Sequence, residues 1–485
     1  MLQTIKIKAE SPLRRTCALS ISAALLFGGI ESASAFSPDD AALAFSSYNQ
    51  HFFFTLNNGA NGYYRTAYGS GNTTSFWQGA EQIEIAVDSK NTTLVNQLCA
   101  GFIAKNGTDW SGNAYNDDLS WASMAFSRAY VLTGNANYKT YAKNGFDVAY
   151  NRGWDTVNGG MWWNTSKTSK PSCANGPGGL AAYLIYLNYG DSSYKTKAQA
   201  FHTWEINNVY DATTGSVKGS PNGTDFNTYD SGTFAGTAYY LGDTARGLAA
   251  AGWVQSHWGS AANWPHFGSG SDAGGFAGIC FRWMAKAGYL KSYFQSVIDA
   301  AWAQRNSENL VYCNWNKVTP DLTTPLYSWD CSDVVAGMLC FQPQDYELDT
   351  ATVASYSGPD YRIIADSNFR DGNGAILDST AVGNYICFVI PNIAPGTYDV
   401  KLSVKKINTR GICQVAIGPA GSNSPTNVGA PQDLYAAGTE YDVLDVGQWS
   451  PTTTSDKWIW LKITGKNSAS TGYSECFDYV SLTPQ

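Results

Sequence analysis

A chain of 485 residues with a formal net charge of -8 and 14% charged side chains lacks the concentrated basic surface that a phosphate backbone demands, which excludes nucleic acid as its partner. Its length allows one large core and a second, smaller one. Aromatic residues make up a further 14%, with 17 Trp and 30 Tyr, and ring faces with few charges suit neutral carbohydrate, whose C–H faces stack on them.

At the N-terminus, Lys6, Lys8, Arg14 and Arg15 precede an apolar run from Ala18 to Ile30, and Ala33-Ser34-Ala35 offers a small-residue cleavage site. Residues 1–35 are therefore predicted to be a secretory signal, with a mature chain starting near Phe36. No later stretch reaches the roughly 20 apolar residues of a membrane span, so a secreted, extracellular or periplasmic monomer is expected. With Cys17 in the signal, nine cysteines remain. No pair among them has the spacing of a zinc site, and their pairing is not legible in the sequence.

From Pro38 to Cys340 apolar positions recur at helical spacing between Gly, Asn and Asp turns. Gly134-Asn135-Ala136-Asn137-Tyr138 and Gly190-Asp191-Ser192-Ser193-Tyr194 repeat one punctuation: a left-handed stop, a polar turn, then Tyr opening the next apolar face. About six such hairpins bury their inner faces by stacking into an α-solenoid or by closing into an α/α toroid. The spacing leaves both open.

The segment Tyr115-Asn116-Asp117-Asp118-Leu119-Ser120-Trp121-Ala122 carries the chemistry. Asn116 is predicted to cap a helix whose first turn holds Asp117 and Asp118, where the helix dipole favours anions and would by itself account for acids. Asp118, however, falls in helical register with Ala122, Ala125 and Ala129, on the inward stripe of small residues. Two carboxylates this close do not both ionise readily, so one is expected to stay charged while the other is held protonated, the division of labour of glycoside hydrolysis. Neighbours on one helical turn can reach the about 5–5.5 Å separation of a retaining glycosidase.

Trp77, Trp162, Trp163 and Trp329 are candidate sugar platforms. His51, His202, His257 and His266 show no metal-ligand spacing, no nucleophilic-serine motif appears, and Arg282 is expected to pair with a buried acid.

From about Gln344 the pattern changes to short alternating runs such as Tyr385–Ile390 and Trp458–Ile463, with Pro and Gly turns including Ala394-Pro395-Gly396. These predict an all-β module, a sandwich, joined through Gln342-Pro343-Gln344.

Several of these segments, in this order, resemble the endo-α-1,6-mannanase family, glycoside hydrolase family 76. They are Phe76-Trp77-Gln78; Asp117-Asp118 with Trp121 and Ala122; Thr133-Gly134-Asn135 and Tyr138; Trp154-Asp155; Gly159-Gly160-Met161-Trp162-Trp163; Asn175-Gly176 before an apolar helix; Tyr229-Asp230-Ser231-Gly232; and Gly275–Arg282. The resemblance implies an (α/α)6 toroid over residues 36–342 that cleaves α-1,6-linked mannan with retention and needs no catalytic cofactor. It implies Asp117 as nucleophile and Asp118 as acid/base, with substrate contacts from Trp77, Gln78, Trp162, Trp163, Asn175, Tyr229 and Asp230. Departures from the family pattern are Asp230 in place of Asn and Ala277 in place of Lys.

Residues 343–485, which open on Tyr346-Glu347-Leu348-Asp349 and close on Cys476–Leu482, are similar to β-sandwich carbohydrate-binding modules. That likeness implies Asp349 and Asp478 as ligands of a structural calcium, and Trp449, Trp458 and Trp460 as candidates for a sugar-binding face. The expected function is endo-α-1,6-mannanase acting on α-mannan. A transglycosidase using the same aspartates and a non-catalytic glycan-binding protein are the alternatives.

Overall fold

The computed structural model describes residues 36–484 apart from 342–343, 371, 394–395, 423 and 454. The expected secretory signal, Gln342-Pro343 and Ala394-Pro395 lie outside the described residues.

Among the described residues twelve α-helices follow one another: α1 (Pro38–Phe52), α2 (Phe76–Asp88), α3 (Thr92–Asn106), α4 (Asn116–Thr133), α5 (Ala136–Gly153), α6 (Ser172–Tyr189), α7 (Ser192–Asn208), α8 (Thr228–Leu241), α9 (Thr244–Trp258), α10 (Phe276–Ala287), α11 (Lys291–Trp302) and α12 (Ser332–Phe341). The repeated punctuation does what its chemistry predicts. Gly134 and Gly190 end α4 and α6 in the left-handed region, at φ 73° and 74°. Asn135 and Asp191 then cap α5 and α7 by accepting from the backbone N–H two residues on, and Tyr138 and Tyr194 pack inward.

Even-numbered helices form the inner layer and are buried on most sides, whereas odd-numbered ones bury one face. Each inner helix packs on the next, and α12 packs back on α2 as well as on α1. That contact closes the ring, so the helices form a toroid and not an open solenoid. A short antiparallel hairpin, β1 (Phe53–Leu56) with β2 (Asn61–Tyr64), sits between α1 and α2, turning at Asn57, Asn58 and Gly59, all at positive φ.

Inside the ring five charged side chains meet. Arg282 of α10 donates to Glu81 and to Asp88 of α2, each at 2.6 Å. Arg128 of α4 binds Asp88 at 2.6 Å and also Glu84 of α2. Burial alone would raise the Asp88 carboxyl, but Arg282 and Arg128 together hold it below the ordinary carboxylate value. The expectation that Arg282 pairs with a buried acid is met twice over.

The second part is a sandwich of two six-stranded antiparallel sheets. Its strands are β3 (Gln344–Glu347), β4 (Val353–Ser357), β5 (Asp360–Ala365), β6 (Asn373–Asp378), β7 (Tyr385–Ile393), β8 (Tyr398–Lys406), β9 (Ile412–Pro419), β10 (Thr426–Asn427), β11 (Gln432–Asp433), β12 (Glu440–Trp449), β13 (Ser455–Gly465) and β14 (Glu475–Pro484). One sheet runs β10-β9-β13-β7-β4 with β11 on β9, the other β12-β8-β14-β6-β5 with β3 on β14. Alternation decides the faces: Ile459, Leu461 and Ile463 of β13 enter the core, which leaves Trp458 and Trp460 half-buried on its outer side.

A buried charge whose partner is removed costs far more than the pair contributes. Arg282→Met should therefore lower the stability of the helical ring by about 3–5 kcal/mol in urea unfolding followed by far-ultraviolet circular dichroism. A loss below about 1 kcal/mol would mean that the cluster does not hold the ring.

Candidate active site

The N-terminal ends of the inner helices open on one cleft of about 370 Å³, within the range of small-ligand sites. Trp77 comes from α2, Asp117, Asp118 and Trp121 from α4, Cys173 from α6 and Tyr229 from α8. Tyr115, Trp163 and Asp272 reach in from loops, and Phe276 and Ile279 from α10 complete the walls. The helical side chains that line it come from the first two turns because the ring stacks like ends of its hairpins at one mouth.

Asp117 and Asp118 lie in the first turn of α4, but Asn116 is not its cap. The N-cap is Tyr115, with no side-chain cap bond, and Asn116 is the first helical residue. Its side chain has another task. Nδ2 donates to the Trp162 carbonyl at 2.7 Å, Oδ1 accepts from Arg152 Nε at 2.7 Å, and its backbone N–H donates to the Trp163 carbonyl at 2.8 Å. Gly153 makes room for this wedge, since a Cβ there would stand 2.5 Å from Asn116 Nδ2. The wedge fastens the 162–163 segment beside α4, so that Trp163 Nε1 donates to Asp117 Oδ2 at 2.9 Å.

Asp117 Oδ1 is buried without a hydrogen-bond partner. Burial, then the neighbouring charge of Asp118, push the Asp117 carboxyl up to about 7, against the lowering effect of the Trp163 N–H. Asp118 Oδ2 accepts from Asn113 Nδ2 at 2.7 Å. Its carboxyl is raised to about 6, by burial and then, beyond the opposing Asn113 bond, by the charge of Asp272. Both aspartates are therefore raised, where sequence reasoning expects only one of them to be. At pH 6–7 the pair holds about one proton between them.

The other expected contacts divide. Trp77, Trp163 and Tyr229 line the cleft. Gln78 does not; its Nε2 donates to Asp272 Oδ1 at 3.2 Å, beside Trp77 Nε1 at the same distance. Trp162 also lies outside the lining, its ring covered by Lys170 Nζ at 4.5 Å. Trp329 is buried behind Trp77, with ring centroids 4.8 Å apart.

Asn175 is fully buried inside the first turn of α6 and spends its amide on backbone, accepting from Met161 N–H at 2.7 Å and donating to the Met161 and Pro171 carbonyls. It holds the segment that carries Trp163, where the resemblance implies a substrate contact. Asp230 is likewise buried, accepts from Asn227 Nδ2 at 2.9 Å, and is raised well above the ordinary value by burial.

Tyr115, Trp121, Cys173, Asp272, Phe276 and Ile279 also line the cleft, none of them expected as a substrate contact. The usable signal was position, since each stands within a few residues of an inner-helix start. In the sandwich, Asp478 accepts from Ser403 Oγ at 3.0 Å and Arg370 binds Asp345 and Glu347. Among the described residues no three His, Cys, Asp or Glu side chains form a metal-holding group.

The model of glycosyl hydrolase family 76 matches residues 40–336, the span of the helical ring. No curated protein matches the chain. Among solved structures, an inactive variant of an α-1,6-mannanase from Salegentibacter sp. HEL1_6, with two adjacent aspartates changed to asparagine and α-1,6-mannotriose bound, is 20% identical. It aligns over 62% of this chain and 97% of its own, with a TM-score of 0.54. The Lin0763 protein of Listeria innocua is 18% identical over 62% and 96%, with a TM-score of 0.54. A family 76 glycoside hydrolase from a bovine Bacteroides thetaiotaomicron strain is 15% identical over 62% and 76%, with a TM-score of 0.51. These likenesses establish a shared fold.

The Trp163 N–H favours the ionised form of Asp117. Trp163→Phe, which keeps the ring and removes the donor, should move the Asp117 midpoint above about 7 in a carbon-13 carboxyl titration. A midpoint that stays or falls would show that the indole does not tune the carboxylate.

Proposed function

This chain belongs to glycosyl hydrolase family 76, and on that premise we propose that it is an exported, retaining endo-α-1,6-mannanase. The observation that carries the reading is the pair of adjacent carboxyls on α4, both raised toward neutrality and walled by aromatic rings in one open cleft. An unpartnered carboxylate oxygen, Asp117 Oδ1, is what a nucleophile presents to an anomeric carbon. Asp118, the less enclosed of the two, is the group that exchanges protons with a leaving sugar and with water.

In the first step Asp117 Oδ1 forms a bond to the anomeric carbon as the bond to the leaving oxygen breaks, and Asp118 gives that oxygen its proton. In the second, water attacks the same carbon from the opposite side, Asp118 takes its proton, and the Asp117 ester is released. In the free pair Asp117 is raised the more, to about 7 against about 6 for Asp118 even with the Trp163 N–H; positive charge building on the sugar ring beside Asp117 reverses that order and leaves the shared proton on Asp118. Trp77, Trp163 and Tyr229 supply ring faces for stacking. The 20%-identical mannanase whose variant lacking two adjacent aspartates is inactive supports the assignment, as does the segment order from Trp77 to Arg282. The basic-then-apolar N-terminal segment supports export, and the outward Trp458 and Trp460 support glycan contact by the sandwich.

Unbranched α-1,6-mannan incubated with the purified chain should release short mannose oligomers whose first-formed ends are α-anomers by proton NMR. Asp117→Asn and Asp118→Asn should each reduce release by roughly a thousandfold or more. Release of β-anomers would overturn retention. Products longer than the donor would mark a transglycosidase, and binding without release a glycan-binding protein.

The pH dependence of kcat/KM should be a bell with limbs near about 6 and about 7, owned by the pair. Below the lower limb both carboxyls are protonated and no nucleophile exists; above the upper one both are ionised and no acid remains. A profile flat from pH 5 to 8 would remove the pair from catalysis.

A further inference from the structure

The cleft holds a third carboxylate that the catalytic cycle does not use. Asp272 stands in the loop ahead of α10, exposed at the rim and lining the cleft with Asp117 and Asp118. Its position is built. Oδ1 receives two donors, Trp77 Nε1 and Gln78 Nε2, each at 3.2 Å, and its backbone carbonyl accepts from Trp329 Nε1 at 2.9 Å. Gly274 and Gly275, two and three residues on, pack so closely on Asp330 and Trp329 that a Cβ at either would collide. A carboxylate held at both its side chain and its backbone is not a solvated surface acid.

Among the described residues no Lys, Arg or His lines this cleft. Asp272 is thus fixed by neutral donors that favour its ionised form against the burial that raises its carboxyl, and its charge acts on the Asp118 carboxyl. With both protein donors on Oδ1, Oδ2 is left for a ligand. A carboxylate accepts strong hydrogen bonds from hydroxyls, and one that faces the catalytic pair without a cation beside it repels an anionic ligand.

We propose that Asp272 is a specificity-determining residue that grips a hydroxyl of the sugar on the Asp118 side and restricts the cleft to glycans without acidic groups. The hydroxyl grip rests on the glycosidase reading, whereas the charge restriction stands on the lining alone. Trp77 and Gln78 then serve the substrate at one remove, by holding Oδ1 so that Oδ2 points at the sugar. A phosphorylated or uronic chain would meet the charge of Asp272 beside the half-ionised pair and find no cation among the lining residues for its own.

Asp272→Asn removes the charge and keeps an oxygen for Trp77 and Gln78. On unbranched α-1,6-mannan this variant should raise KM roughly 10- to 100-fold while kcat changes by several-fold less. In the absence of turnover, fluorescence of the cleft tryptophans at pH 6 reads the binding of two charged probes, a glucosamine trimer and a galacturonic acid trimer. The wild type should prefer the cationic trimer, and Asp272→Asn should narrow that preference about tenfold. An equal preference in the two proteins overturns the charge restriction whatever glycan is cleaved, and an unchanged KM overturns the hydroxyl grip. A preference that narrows as expected, in a protein that releases nothing from mannan, would overturn only the mannanase reading.

Discussion

The structure depends first on the charges buried inside the helical ring. Arg128 and Arg282 against Glu81, Glu84 and Asp88 tie α2, α4 and α10 together. The same three helices deliver Trp77, the aspartate pair and Phe276 to the cleft at their N-terminal ends. Such a cluster adds little net stability over apolar packing, but it is costly to break and it admits one arrangement of its donors. A slip of α4 by one turn, about 5.4 Å, would part Arg128 from Asp88 and carry Asp117 out of reach of Trp163. The ion cluster therefore fixes a register that the chemistry at the other end of the helices requires.

A second constraint acts on the loop that carries Trp163. Asn116 holds the Trp162 and Trp163 carbonyls from one side, and Asn175 holds both backbone groups of Met161 from the other. Neither amide touches the cleft. Together they aim one indole N–H at Asp117, where it opposes the burial that pushes the carboxyl upward. The aspartates sit between two tendencies: enclosure by rings disfavours charge, while a helix N-terminus and a directed donor favour it. A pair balanced near neutrality gives up a proton and recovers it at little cost, which a solvated aspartate at its ordinary value cannot do.

Local features were legible because their causes are local. A glycine after the last apolar turn and a small polar residue after it specify a stop and a cap whatever surrounds them, and Gly134-Asn135 and Gly190-Asp191 behave accordingly. The inward stripe of Ala122, Ala125 and Ala129 follows from helical periodicity, and all three are fully buried. Where several jobs suit one residue type, local reasoning chose the commonest. Asn116 looked like a cap and is a wedge between α4 and the 162–163 segment. Asn175 and Gln78 looked like sugar ligands, but one serves backbone and the other serves Asp272.

By itself the sequence determined the alternation of helices and turns, the switch to strands near Gln344, and a pair of carboxyls on an inward helical face, because periodicity and capping act within a few residues. Only the tertiary structure decided that the hairpins close, since closure is a contact between α12 and α2 across some 250 residues of chain. It also decided that Trp162 turns away under Lys170 while its neighbour Trp163 meets Asp117, and that Asp272, 154 positions beyond Asp118, faces it across the cleft. Such pairings depend on where distant backbone passes, and no local pattern encodes that path.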